Sequence, residues 1–163
     1  MGDLRWLVCH TRPRCEKKFA ALLAAEACTH YLALVESVRR YGARTKKFTK
    51  PLFPGYVFTQ VPVAKKSRLY QQDLLARIIA IEDEAKFLRQ LADVRAIVAS
   101  GFELSLMPLL TKGRRVKIIG GPLHGLEGLV DNPANPQGVV LAVDVLQQGL
   151  LVRIPAEQLQ PLP

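Results

Sequence analysis

The sequence predicts an α+β domain, helices packed on one antiparallel four-stranded sheet, followed by a small all-β barrel. Three observations predict it. Ala-rich stretches with helical apolar spacing alternate with short strand-like runs up to about residue 100. A non-periodic stretch, Ser100 to Pro108, then ends in a helix breaker. Beyond it come closely spaced Val- and Gly-rich runs separated by turn residues, the pattern of a closed sheet whose edges would otherwise aggregate. The expected boundaries are a first domain over 1–100, a linker over 101–110 and a second domain over 111–163.

Trp6–Thr11 reads as a strand closed by Pro13. Glu16 to His30 reads as a helix, with Phe19, Leu22, Leu23 and Ala27 on one face. Tyr31–Val38 is strand-like, Arg39–Lys50 a basic connection, and Leu52–Val61 a Pro-limited strand. Ala64–Leu75 is expected as a helix with Leu69 and Tyr70 inward, then a strand over Arg77–Glu82. Phe87, Leu91, Val94 and Val98 mark the apolar face of a third helix. In the second part, Arg115–Ile119, Leu126–Asp131, Gly138–Leu146 and Leu150–Ile154 are four predicted strands.

Composition narrows the function. The chain has 163 residues, 49% hydrophobic and 23% charged, which excludes a disordered polymer. No apolar run approaches the ~18–20 residues that span a bilayer, and the acid-containing start does not read as a signal peptide. Three cysteines without a Cys-x-x-Cys pair do not read as a disulfide framework, so a reduced, cytoplasmic protein is expected; it is also expected to be a monomer. The net charge of +9 points to an anionic partner. It concentrates in the first part: residues 1–110 hold 18 basic and 10 acidic side chains, the remainder 5 and 4.

Within that part, Arg39, Arg40, Arg44, Lys46, Lys47 and Lys50 place six cations in twelve residues with no acid. A solvated loop is the plain reading. A contact with phosphates of upstream or non-template DNA is the functional one. Cys9, His10, Cys15, Cys28 and His30 offer zinc-ligating residue types, but their spacing matches no zinc motif. No nucleophile elbow, carboxylate pair or dinucleotide fingerprint is present, so neither an enzyme nor a cofactor is expected.

Two segments carry the most specific patterns. Leu52-Phe53-Pro54-Gly55-Tyr56-Val57-Phe58 turns directly into an aromatic strand. Gly113 to Val130 alternates and then returns through Gly120, Gly121, Gly125 and Gly128; it lacks the Gly-Lys-Ser/Thr ending of a phosphate loop. With the Trp-led opening strand, in this order and spacing, they resemble the NusG family of transcription elongation factors over nearly the whole chain. The first part is similar to the family's N-terminal domain, and the second to its SH3-like KOW barrel.

The resemblance implies that the N-terminal domain docks on the clamp helices of the largest RNA polymerase subunit and suppresses pausing. Phe53 and Tyr56 would line the docking pocket, with Trp6 as a neighbour, and Ser67 and Arg68 would touch the opposite subunit. It further implies that the KOW domain recruits a small-subunit ribosomal protein or Rho around Val145 and Leu146, where housekeeping members often carry Ile-Phe. Thr11-Arg12-Pro13-Arg14-Cys15-Glu16 is closer to specialised, RfaH-like antiterminators than to the housekeeping factor. The alternatives are a housekeeping role in coupling to translation or Rho, and a KOW-containing, ribosome-associated RNA-binding protein.

Overall fold

The computed structural model describes residues 4–70, 73–134 and 136–163. The chain forms two compact units, one up to Glu82 and one from Asp83 onward. In the first unit a four-stranded antiparallel sheet has the order β2-β5-β1-β6. Its members are β1 (Leu4–Thr11), β2 (Thr29–Tyr31), β5 (Tyr56–Pro62) and β6 (Leu75–Ala80), with helix α1 (Glu16–Ala25) between β1 and β2. Antiparallel register puts Leu7, Cys9, Val57 and Val61 on one face, where they bury against Phe19 and Leu23 of α1. Trp6, Val8 and His10 lie on the other, opposite Gln60, Phe58 and Tyr56 respectively.

Helix α1 ends five residues before the expected His30. Ala27 takes a left-handed φ of 55°, which closes the helix and releases Thr29 into β2. The expected helix over 64–75 is a 3-10 segment, Val63–Tyr70, in which Leu69 is buried while Tyr70 is exposed.

The expected basic connection proves to be a hairpin. Strands β3 (Leu34–Tyr41) and β4 (Arg44–Pro51) pair along their whole length and form their own two-stranded sheet. The two-residue loop has φ of 59° at Gly42, which glycine adopts without steric cost, as a tight hairpin turn requires. A free two-stranded ribbon is marginal in water. This one is tied at its base: Lys17 Nζ donates to the Thr49 carbonyl at 2.7 Å and to Thr49 Oγ1 at 3.2 Å.

The second unit begins with helix α2 (Glu84–Ser100), capped by the Asp83 carboxylate, which accepts from the Lys86 N–H at 3.0 Å. Its buried face is Phe87, Leu91, Val94 and Ile97; Ile97 stands where the sequence pointed to Val98. A six-stranded antiparallel sheet follows, ordered β12-β8-β9-β10-β11-β7. Four of its members correspond to the predicted strands: β8 (Arg114–Ile118), β9 (Glu127–Val130), β10 (Val139–Val143) and β11 (Gln148–Val152). The other two, β7 (Leu104–Pro108) and β12 (Leu159–Pro161), were not expected. The stretch read as a linker therefore contains a strand: β7 pairs with β11 from Leu104↔Val152 to Pro108↔Gln148. Compactness also groups α2 with this sheet, because the helix packs on β10. Val116, Ile118, Val139, Val143, Leu150 and Val152 form much of the core.

Candidate functional site

The Phe53–Tyr56 segment is built around one residue, Gly55. Gly55 has φ of 88°, and its carbonyl accepts from the Thr11 N–H at 2.8 Å. Its own N–H donates to Glu16 Oε2 at 3.0 Å. Glu16 is buried, at the first residue of α1, so its charge also meets the positive end of the helix. Thr11 and Glu16 are the ends of the motif Thr11-Arg12-Pro13-Arg14-Cys15-Glu16. The two motifs recognised separately in the sequence thus hold each other: the first clamps the turn of the second from both sides.

The clamp sets where the aromatics go. Phe53 is 1% exposed and meets Phe58 edge-on at 6.3 Å, so both rings belong to the interior. The resemblance placed Phe53 on a pocket wall, whereas here its ring is core. Tyr56 stays half-buried and stacks on His10, ring centroids 4.8 Å apart and planes 14° apart. A side chain at Gly55 would meet His10 Cδ2 at 3.2 Å, so the glycine also makes room for that stack. His10 is the residue that sequence reasoning missed. The signal was present in the alternation, since Trp6, Val8 and His10 share a strand face, but only register shows which of them meets Tyr56. Trp6 is half-buried four residues away, roughly 14 Å along the strand. The structure brings Tyr56 to His10 and not to Trp6.

Ser67 and Arg68 lie exposed on the 3-10 segment, and Arg68 makes a 3.8 Å ion pair with Glu26. At that exposure the pair contributes little stability. The six cations occupy both strands of the hairpin. Register places Arg39, Arg44, Lys46 and Lys50 on one face and Arg40 and Lys47 on the other. Lys47 is paired with Glu36 at 3.5 Å.

In the second unit, Val145 and Leu146 fall in a 3-10 turn, Asp144–Leu146, rather than in a continuous strand. Leu146 is buried and Val145 is partly exposed. Helix α2 fixes this turn: Gln90 Oε1 accepts from the Asp144 N–H at 3.0 Å, and Lys86 forms an ion pair with the Asp144 carboxylate. The hydrogen bond to Asp144, with its charge, raises the pKa of Lys86. Burial raises that of Asp93 on the same helix.

Among the described residues, no group of three or more His, Cys, Asp or Glu is placed to hold a metal. Cys9 is pushed up to about 12, first by burial and then by Cys28, so it stays a neutral thiol. Nor is any described helix long and apolar enough to cross a membrane.

Comparison with known families decides the assignment. The family model described as transcription termination factor NusG matches residues 4–112. The chain belongs to the NusG family. That match spans more than half of the protein and includes the Trp6 strand, the Gly55 clamp, the hairpin and α2. No curated protein matches the chain. Membership makes this NusG-family protein a transcription elongation or antitermination factor in general terms, and proteins of the family bind RNA polymerase.

The clamp yields a first expected result. Glu16→Ala leaves the Gly55 N–H without its charged acceptor, at a cost of about 2 kcal/mol. Thermal denaturation should fall by roughly 10 °C for a unit of this size. Glu16→Gln, which keeps an acceptor oxygen, should lose less than half as much. Equal melting temperatures for all three proteins would show that the bond does not hold the turn.

Proposed function

We propose that this NusG-family protein docks on the clamp helices of the largest RNA polymerase subunit through the surface around Tyr56, and suppresses pausing as a specialised antiterminator. The observation that carries it is the Tyr56–His10 stack, a half-buried aromatic pair fixed from beneath by the Thr11–Gly55–Glu16 clamp. A pre-ordered aromatic loses little side-chain entropy on binding, which is why such residues become hot spots at interfaces. Phe53 supports that surface from inside. Ser67 and Arg68, exposed on the 3-10 segment, contact the opposite large subunit.

The specialised role is favoured by the Thr11-to-Glu16 motif, whose two ends form the clamp. The basic hairpin contacts phosphates of upstream or non-template DNA. The second unit, read as a KOW domain, recruits a ribosomal protein or Rho beside Val145. Because Leu146 is buried, Val145 offers a smaller apolar surface than the Ile-Phe of housekeeping members.

The test is binding of the full chain to core RNA polymerase, beside Tyr56→Ala and His10→Ala variants checked for an unchanged melting temperature. Loss of affinity by about 30-fold or more for Tyr56→Ala is the expected hot-spot result. Wild-type affinity in that variant would remove the docking surface from Tyr56. No binding by the wild type would redirect the search to ribosomal RNA.

A further inference from the structure

Within the second unit, helix α2 and the sheet leave a cleft of about 430 Å³ between them, in the size range of small-ligand sites. Lys86, Gln90 and Asp93 form one wall. Their spacing of four and three residues puts them in one stripe along α2, one position before the buried stripe of Phe87, Leu91 and Val94. The base of the cleft is the sheet. Register aligns Arg115, Leu129 and Val140 across β8, β9 and β10, and the two-residue pleat adds Glu127 and Ala142 to the same face. Leu129, Val140 and Ala142 thus make an apolar base between polar rims.

The polar groups of the cleft are unevenly committed. Lys86 holds the Asp144 carboxylate, and Arg115 meets Glu127 at 3.6 Å. Gln90 Oε1 is taken by the Asp144 N–H. Asp93 remains. Its side chain is half-buried, yet among the described residues no hydrogen bond or ion pair engages the carboxylate. Burial is the cause of its raised pKa. A desolvated carboxylate without a cation costs stability, and such groups collect where a ligand supplies the missing charge.

We propose that this cleft binds an alkylammonium group, with the charge on Asp93 and the carbon chain on Leu129, Val140 and Ala142. Because both cations of the cleft are already paired, an anion would find no free donor there. A neutral ligand would leave the carboxylate desolvated and unpaired. A bare metal cation would leave the apolar base unused, whereas a short carbon chain removes it from water. The same group arrives either as a free aliphatic amine or as the side chain of a lysine, and the test separates these sources.

The isotope-labelled full chain is titrated at matched ionic strength with butylamine, butanol and butyrate, and amide chemical shifts are followed. Butylammonium should bind with a dissociation constant on the order of 1 mM, as suits a ligand of so few atoms. Shifts should concentrate on α2, β9 and β10. Asp93→Asn keeps the shape and removes the charge, so affinity should fall about tenfold or more. Without ligand that variant should melt no lower than wild type, since a buried charge has gone. Ala142→Leu, which fills the base and spares Asp93, should also abolish binding. Nα-acetyl-lysine amide tighter than butylamine would identify a lysine as the source, and the reverse order a free amine.

Equal binding of butanol, or wild-type affinity in Asp93→Asn, would overturn the part given to the carboxylate. Butyrate shifting the same amides would overturn the sign of the ligand. Unmoved α2 and β10 amides at about twenty times the expected dissociation constant, where a real site is nearly saturated, would overturn the site itself.

Discussion

Phe53→Ala should destabilise the first unit by about 3–5 kcal/mol, the usual cost of deleting a fully buried aromatic ring. The ring is 1% exposed and packs edge-on against Phe58, so its loss empties space that neighbouring strands cannot close. For a unit of this size the melting temperature should drop by roughly 15–25 °C. Trp6, the single tryptophan, lies on β1 of the same sheet and reports the transition by fluorescence. Polymerase affinity should fall in parallel with the folded fraction. Tyr56→Ala should behave in the opposite way, with a melting temperature near wild type and affinity lost. Together the two variants separate a residue that supports the docking surface from one that forms it. A Phe53→Ala protein that melts normally yet fails to bind would place Phe53 on the surface after all.

Gly138→Ala is expected to disrupt the second unit by about 3 kcal/mol or more, at the upper end of overpacking costs. A methyl group there would lie 2.1 Å from the Val152 carbonyl oxygen and 2.9 Å from its carbon. Both atoms are backbone, and Val152 is the first partner in the β10–β11 ladder, opposite Val139. The clash cannot be relieved by turning a side chain; one end of the hairpin must open. Hydrogen exchange should show faster amides along β10 and β11, with those of β1 and β5 unchanged. Wild-type protection in β10 and β11 would show that the strands tolerate the separation. Gly128, from the signature run, is under similar constraint, since its added methyl would meet the Val140 carbonyl oxygen at 2.8 Å.

That pairing of glycine with backbone illustrates how legible the site was. The glycines of the second part announced tight turns, but not which strand passed closest. The clamp at Gly55 is similar. Thr11, Glu16 and the Pro54-Gly55 turn were all visible as motifs, yet the hydrogen bonds that Gly55 makes to Glu16 and Thr11 join residues 39 and 44 positions apart. Tyr56 was found from its strand. His10 was read only as a remote metal ligand, because its ring partner is set by the β1–β5 register.

The basic hairpin shows a second reason for partial legibility. A run mixing cations with Thr and Phe has no apolar face to reveal a strand, so it read as a connection. What makes it a strand is the matching run at Leu34–Tyr41, and the pairing of the two sorts the cations onto unequal faces.

The sequence by itself determined the order of most elements, the α+β-then-β division and most of the apolar faces of α1 and α2, because each depends on local spacing. It also determined the family, through motifs whose residue types have few substitutes at tight turns. Only the tertiary structure decided that α2 groups with the six-stranded sheet, that the stretch after it contributes β7, and that Phe53 is core while Tyr56 is surface. Periodicity marks which side of an element avoids water. What covers that side depends on partners distant in the chain, and those are chosen by register and packing over the whole unit.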